Sequence, residues 1–222
     1  METEQQIRDI KKRLRLFMNG PASSSMREKG LEYKMNFGIE LPRIKEVADE
    51  FDKSRDLASA LWKDSVRECR IMAGLLMPPE EFEEDLCDVW IEQIDNQEIA
   101  QHTCMNLFRH LPYARKKAFE WMASDGELRR LCGFTLMARL FMNDEKLDER
   151  SEAEFLDQAV TALEGSELLP RQSALSSIRK FAEQNRGNSK KVVRALYPLL
   201  NSEKEELKAI AQNIKSEIDY WR

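Results

Sequence analysis

Glycine and proline are scarce, 8 and 7 in 222 residues, where average usage would supply nearly twice their sum. A sandwich or barrel spends these residues at turn after turn, so the shortage excludes turn-rich β architecture. Long apolar runs are missing too. The longest, such as Ile71 to Pro79, fall far short of the 18 or so residues a bilayer span requires, and no membrane partner is expected. Only two histidines occur, with no GxSxG, GxxxxGK[ST] or GxGxxG, so nucleophilic hydrolysis and nucleotide cofactors have no foothold, and no cofactor is expected. There is no CxxC pair. Cys69, Cys87, Cys104 and Cys132 each sit among helix formers and read as small buried hydrophobes in a reducing compartment. The first residues, MetGluThrGluGlnGlnIleArg, carry acids and no apolar h-region, which reads as neither signal nor transit peptide and leads to the expectation of a cytoplasmic protein.

What the chain has is helical periodicity. Ile7, Ile10, Leu14 and Phe17 recur at helical spacing over residues 4–18, with Gly20-Pro21 as a stop signal and a Ser-rich bend at Ser23–Ser25. Residues 30–42 form a connector with two glycines, and Leu41-Pro42 then opens a helix carrying Ile44, Val47, Ala48 and Phe51. Amphipathic segments follow at about 54–62, 65–77, 80–93, 96–109, 113–122, 126–142, 151–164, 170–185, 188–200 and 203–220. The expected fold is therefore all-α. Grouped in twos, the segments give units of roughly 35 to 45 residues, the period of HEAT and armadillo arrays. A curved α-solenoid of HEAT-like antiparallel helix pairs is expected, in one domain over 1–222, with an N-terminal helix and connector at 1–40 and the array at 41–222. A compact helical bundle is the competing architecture.

The net charge of −5 conceals a segregated distribution. Residues 1–46 sum to +3, 47–99 to −10, 100–142 to +4, 143–168 to −7 and 169–222 to +5. Such alternation can leave a basic groove on an acidic shell. Candidates for that groove are Arg109, Arg115, Lys116, Lys117, Arg129, Arg130 and Arg139, backed by Arg171, Arg179, Lys180, Arg186, Lys190, Lys191 and Arg194. For any one of them, a solvated helix face is the ordinary explanation.

His102, Cys104 and His110 do not converge on a helix as metal ligands must, and no metal site is expected. The acidic run Glu80, Glu81, Glu83, Glu84 and Asp85 suits a helix start. Met72, Met77, Met105, Met122, Met137 and Met142 read as core filling, and Trp62, Trp90 and Trp121 as anchors between helices, with Trp221 partly buried at the terminus.

The run Gly30-Leu-Glu-Tyr33-Lys-Met-Asn36-Phe37-Gly38-Ile39-Glu-Leu-Pro42-Arg43-Ile44-Lys-Glu-Val-Ala48 resembles the N-terminal signature of the DNA alkylation repair family, the AlkD-like HEAT-repeat proteins. Leu61-Trp62 with Glu68 and Arg70 resembles that family's second repeat, and Gly126-Glu-Leu-Arg129-Arg130-Leu-Cys-Gly-Phe134 its paired-basic helix. The resemblance spans roughly residues 5–200. It implies a stack of helical pairs whose basic concave face holds duplex DNA, and, in active members, excision of a cationic alkylpurine by a DNA glycosylase reaction. There two tryptophans face the lesion and an aspartate stabilises the developing oxocarbenium. This sequence places Gln97, Gln101 and Ser176 at the three matching positions, and a neutral amide lacks the carboxylate's field. The phosphate-contacting basic positions match Arg130 and Arg179. The expectation is thus a DNA-binding protein with base excision in doubt. Two alternatives are a protein-interaction solenoid and a glycosylase using a shifted acid, Asp88, Asp95 or Glu98.

Overall fold

A computed structural model describes residues 2–220; Trp221 and its expected burial lie outside them. Among the described residues there are fourteen α-helices and no strand, the one β-type contact being an isolated bridge between Met35 and Val66. The chain divides into two compact units, residues 1–111 and 112–222. The division falls at Leu111-Pro112.

The first unit holds α1 (Glu2–Arg15), α2 (Gly20–Glu28), α3 (Leu41–Ala48), α4 (Arg55–Trp62), α5 (Arg67–Leu76), α6 (Glu84–Glu92) and α7 (Gln97–Asn106), with 3₁₀ turns at Pro79–Glu81 and Phe108–His110. Helix α4 packs on α5, and α5 also touches α3 and α7, so α3, α5 and α7 line up as one layer. Trp62 of α4 stacks on Trp90 of α6, ring centroids 4.1 Å apart, which starts a second layer. A two-layer stack of helix pairs is the HEAT-like arrangement. Its core is Ile10, Leu14, Ile44, Val47, Leu57, Leu61, Met72, Trp90 and Phe108, all essentially inaccessible to water.

The second unit holds α8 (Ala114–Met122), α9 (Glu127–Met142), α10 (Glu149–Glu164), α11 (Leu168–Gln184), α12 (Arg186–Ala195), α13 (Tyr197–Leu200) and α14 (Glu205–Tyr220). Here α8 pairs with α9, α10 with α11, and α9 lies along α11. Phe141, Phe155 and Phe181 meet at centroid distances of 5.0 to 5.4 Å and hold α9, α10 and α11 together. Gly133 sets the α8–α9 crossing, because a Cβ there would come 2.5 Å from the Met122 amide nitrogen.

Several local readings are corrected. Gly20-Pro21 does not stop helix formation but starts α2: proline at the first turn lacks only an N–H that has no partner there, and the Asn19 side chain accepts from the Ala22 amide at 3.1 Å. The Ser23–Ser25 bend is thus helical. Residues 80–93 break at Phe82, which is buried against Trp90, leaving a 3₁₀ turn before α6. Residues 188–200 break before Pro198, which the first turn of α13 accommodates. Met142 is 54% exposed at the end of α9 instead of filling the core. All four cysteines are free thiols and buried, and burial pushes the Cys69 thiol up to about 12. No helix among the described residues is long and apolar enough to cross a membrane.

Candidate nucleic-acid interface

In the first unit, Asn96 caps α7 by accepting from the Ile99 amide at 3.0 Å, and Gln97 and Gln101 follow one turn apart on one helix face. Gln97 is half-buried and Gln101 exposed. Between them stands the nearest acid, Glu98. Its carboxylate accepts from Arg67 Nε at 2.8 Å and Nη2 at 2.6 Å, and from the Tyr33 hydroxyl at 2.5 Å. Burial works to raise its pKa, but the hydrogen bonds from Arg67 and Tyr33 and the charge of Arg67 outweigh burial and hold the carboxyl below its usual range. Burial, then the hydrogen bond to Glu98 and the negative charge of that carboxylate, push the Tyr33 phenol above its usual value against the opposing charge of Arg67, so it stays a donor.

Arg67 also reaches Glu68, which is fully buried and accepts from the Phe37 and Ile39 amides at 3.1 and 3.2 Å. These bonds strap the connector 30–40 onto α5 and α7. Tyr33, Arg67 and Glu98 lie far apart in sequence, and no spacing rule links them. The one local signal is an Arg-Glu pair opening an apolar helix.

The other acids near α7 are engaged as well. Asp95 accepts from Arg70 Nη1 at 2.8 Å and is 64% exposed. Asp88 is exposed on α6. Trp62 is sandwiched between Trp90 and the Arg70 guanidinium, 4.8 Å from its ring centroid, and its indole N–H donates to Gln93 at 2.7 Å. Both faces of this tryptophan are taken, and it borders a cavity of about 440 Å³ also lined by Tyr33, Arg70, Gln93 and Asp95. Arg109 lines a separate cavity of about 550 Å³ with Lys45, Lys53, Asn106 and His110. Its Nε donates to His110 Nε2 at 3.1 Å, and burial followed by the charges of Arg109 and Lys53 lowers the His110 pKa.

In the second unit, Gln172, Ser176, Arg179 and Lys180 recur at helical spacing along one side of α11, with Ser176 exposed. Arg179 makes a bidentate pair with Glu217 of α14 at 2.6 and 2.7 Å. Arg130 of α9 pairs with Glu167. Lys180 meets Glu183 at 2.7 Å, and Lys191 pairs with Glu152. Lys117 is buried with its amine 3.0 Å from Glu120, which Lys116 also approaches at 3.8 Å. Arg129 is half-buried and Lys190 exposed on α12. Among the cations singled out from the sequence, Lys117, Arg130, Arg171, Arg179, Lys180 and Lys191 therefore sit on an internal carboxylate, Glu206 being the partner of Arg171.

A family model described as DNA alkylation repair enzyme matches residues 10–193. The chain belongs to that family. The match takes in the connector strapped by Arg67 and Glu68, α7, α9 and α11. Among solved structures, the chain is similar to one described as "a new family of proteins related to the HEAT-like repeat DNA glycosylases with affinity for branched DNA structures", at 16% identity and a TM-score of 0.81, covering 97% of this chain and 94% of that one. It is also similar to Cex1p at 12% identity and a TM-score of 0.50, covering 80% of this chain and 38% of that one. At these identities the likeness is one of fold, and it is a HEAT-like helical fold. No curated protein matches the sequence.

Proposed function

We propose that this member of the DNA alkylation repair family binds DNA, branched forms included, through the basic side chains of its second unit, and does not excise bases. The observation that carries the reading is the state of the carboxylates around α7. Gln97 and Gln101 are neutral; of the acids that could stand in for an aspartate, Glu98 is committed to Arg67 and Tyr33 and Asp95 to Arg70, while Asp88 is exposed to water, which screens its field. An oxocarbenium needs a carboxylate whose field is not already cancelled by a guanidinium. The stacked Trp62 likewise has no open face for a cationic lesion. Family membership, and a fold shared with a protein having affinity for branched DNA, support the nucleic-acid partner.

Arg130 and Arg179 are the principal phosphate ligands in this reading, with Arg129, Lys116, Lys180, Lys190 and Lys191 beside them. Their internal pairs are partly exposed, and such pairs are typically worth about 1 kcal/mol, so a phosphate can displace the carboxylate. The test is incubation with DNA carrying methylated purines at high protein concentration. No base is released in this reading; release that Glu98→Gln, Asp95→Asn or Asp88→Asn abolishes would establish the glycosylase instead.

One groove favours a second reading, a protein partner. Between α10 and α12, Ala153, Leu156 and Val160 line a cavity of about 470 Å³ rimmed by Glu149, Glu152 and Asp157 on one side and Lys191 and Arg194 on the other. Co-purification of one specific protein, lost on Leu156→Asp, with no DNA retained, would replace the DNA reading by this one.

A further inference from the structure

Single exposed apolar side chains are ordinary, but three large ones in succession are not. Leu16, Phe17 and Met18 stand at the bend between α1 and α2 and are 72%, 38% and 56% exposed. The bend is held at both ends. Their amides donate to the carbonyls of Arg13, Leu14 and Arg15 at 3.1, 2.9 and 3.4 Å, closing 3₁₀-type turns that extend α1. Asn19 then donates to the Phe37 carbonyl at 2.8 Å while its side chain caps α2. Gly38 sits directly behind at φ +71°, where any Cβ would overlap the Asn19 carbonyl.

Cations surround this apolar tip. Lys12, Arg13 and Arg15 occupy the last turn of α1, and the Arg43 guanidinium lies 5.5 Å from the centre of the Phe17 ring. Arg13 shares Glu50 at 3.1 Å and Arg43 shares Glu46 at 2.5 Å, both on the surface. The helix dipole accounts for cations at the end of α1, but not for three wet apolar side chains.

We propose that Leu16, Phe17 and Met18 form an apolar wedge that enters an opened base step of branched DNA, with Lys12, Arg15 and Arg43 on the flanking phosphates. A branch point offers base faces that have lost a stacking neighbour, and an apolar side chain covers such a face without a hydrogen-bonding requirement. A continuous duplex must first be unstacked, so the wedge favours branched over linear DNA. This inference rests on the DNA-binding reading above.

The test compares the wild-type chain with Leu16→Ser/Met18→Ser, both exposed positions, on a four-way junction and a linear duplex of the same composition at one salt concentration. The junction is expected to lose about tenfold in affinity and the duplex less than about twofold. A 2-aminopurine at the branch point is expected to brighten with the wild type and not with the variant. Equal losses on both DNAs, or no loss on the junction, overturn the wedge while leaving DNA binding intact. Failure of the wild type to bind either DNA overturns the underlying reading. If the wild type sediments as a dimer and the variant as a monomer, the patch joins two copies of the chain and the wedge is likewise overturned.

Discussion

Arg67 has 3% of its side chain exposed and serves two carboxylates, Glu68 and Glu98, as well as the Ile39 carbonyl. Removing one partner of a buried pair leaves the other charge desolvated and unmatched, so Arg67→Ala is expected to lower stability by about 3–5 kcal/mol in urea denaturation. The pH dependence has a definite sign. Because Glu98 titrates below its usual range when folded, its contribution is complete above the unfolded carboxylate value and fades as pH falls through the lower folded one. Glu98→Gln is therefore expected to start less stable and to lose less than the wild type between about pH 5 and pH 3. Gly133 gives a second residue-level test. Alanine inside a helix normally gains about 1 kcal/mol over glycine, but here its Cβ meets the α8 backbone. Gly133→Ala is expected to destabilise by about 1–3 kcal/mol, read as a lower urea midpoint.

At the scale of elements, the ion pairs that tie helices together decide what a polyanion meets. Arg179 on α11 is held by Glu217 on α14, and Arg130 on α9 by Glu167 just before α11. Glu217→Gln is expected to free the guanidinium and tighten DNA binding two- to tenfold by fluorescence anisotropy, roughly the strength of an exposed pair. An unchanged or weaker affinity would make Arg179 a helix tie and no DNA ligand. Helix existence was legible from periodicity, since the apolar spacing of α1, α3, α9, α10, α11 and α14 is a local property. The α2 helix was not, because Gly20-Pro21 serves equally as a stop or a first turn, and the deciding partner is one side chain, Asn19. The break at Phe82 was hidden for another reason: it depends on Trp90, eight residues on, and no pattern announces that contact.

For the molecule as a whole, charge divides unevenly between the two units: 16 basic and 22 acidic side chains in residues 1–111, 19 and 18 in residues 112–222. The candidate site followed the same course from legible to hidden. Gln97, Gln101 and Ser176, the residues that the family resemblance sets at its catalytic positions, and the cations could be named from the sequence, whereas the strap of Tyr33, Arg67 and Glu98, and the carboxylates that hold Lys117, Arg130, Arg171, Arg179, Lys180 and Lys191, required the fold. Those carboxylates also moderate the expectation from charge counting, because in the proposed reading a phosphate contact at Arg130 or Arg179 would exchange an internal partner for an external one and free a carboxylate near the DNA.

DNA affinity of the wild type and of Arg130→Ala/Arg179→Ala, followed across a salt series on duplex and junction, is the most direct test. Binding is expected to be measurable at low salt and to fall steeply as salt rises, with a slope smaller by about two in the double variant. No binding at low ionic strength, or a slope that the two arginines do not alter, would contradict the DNA-binding reading.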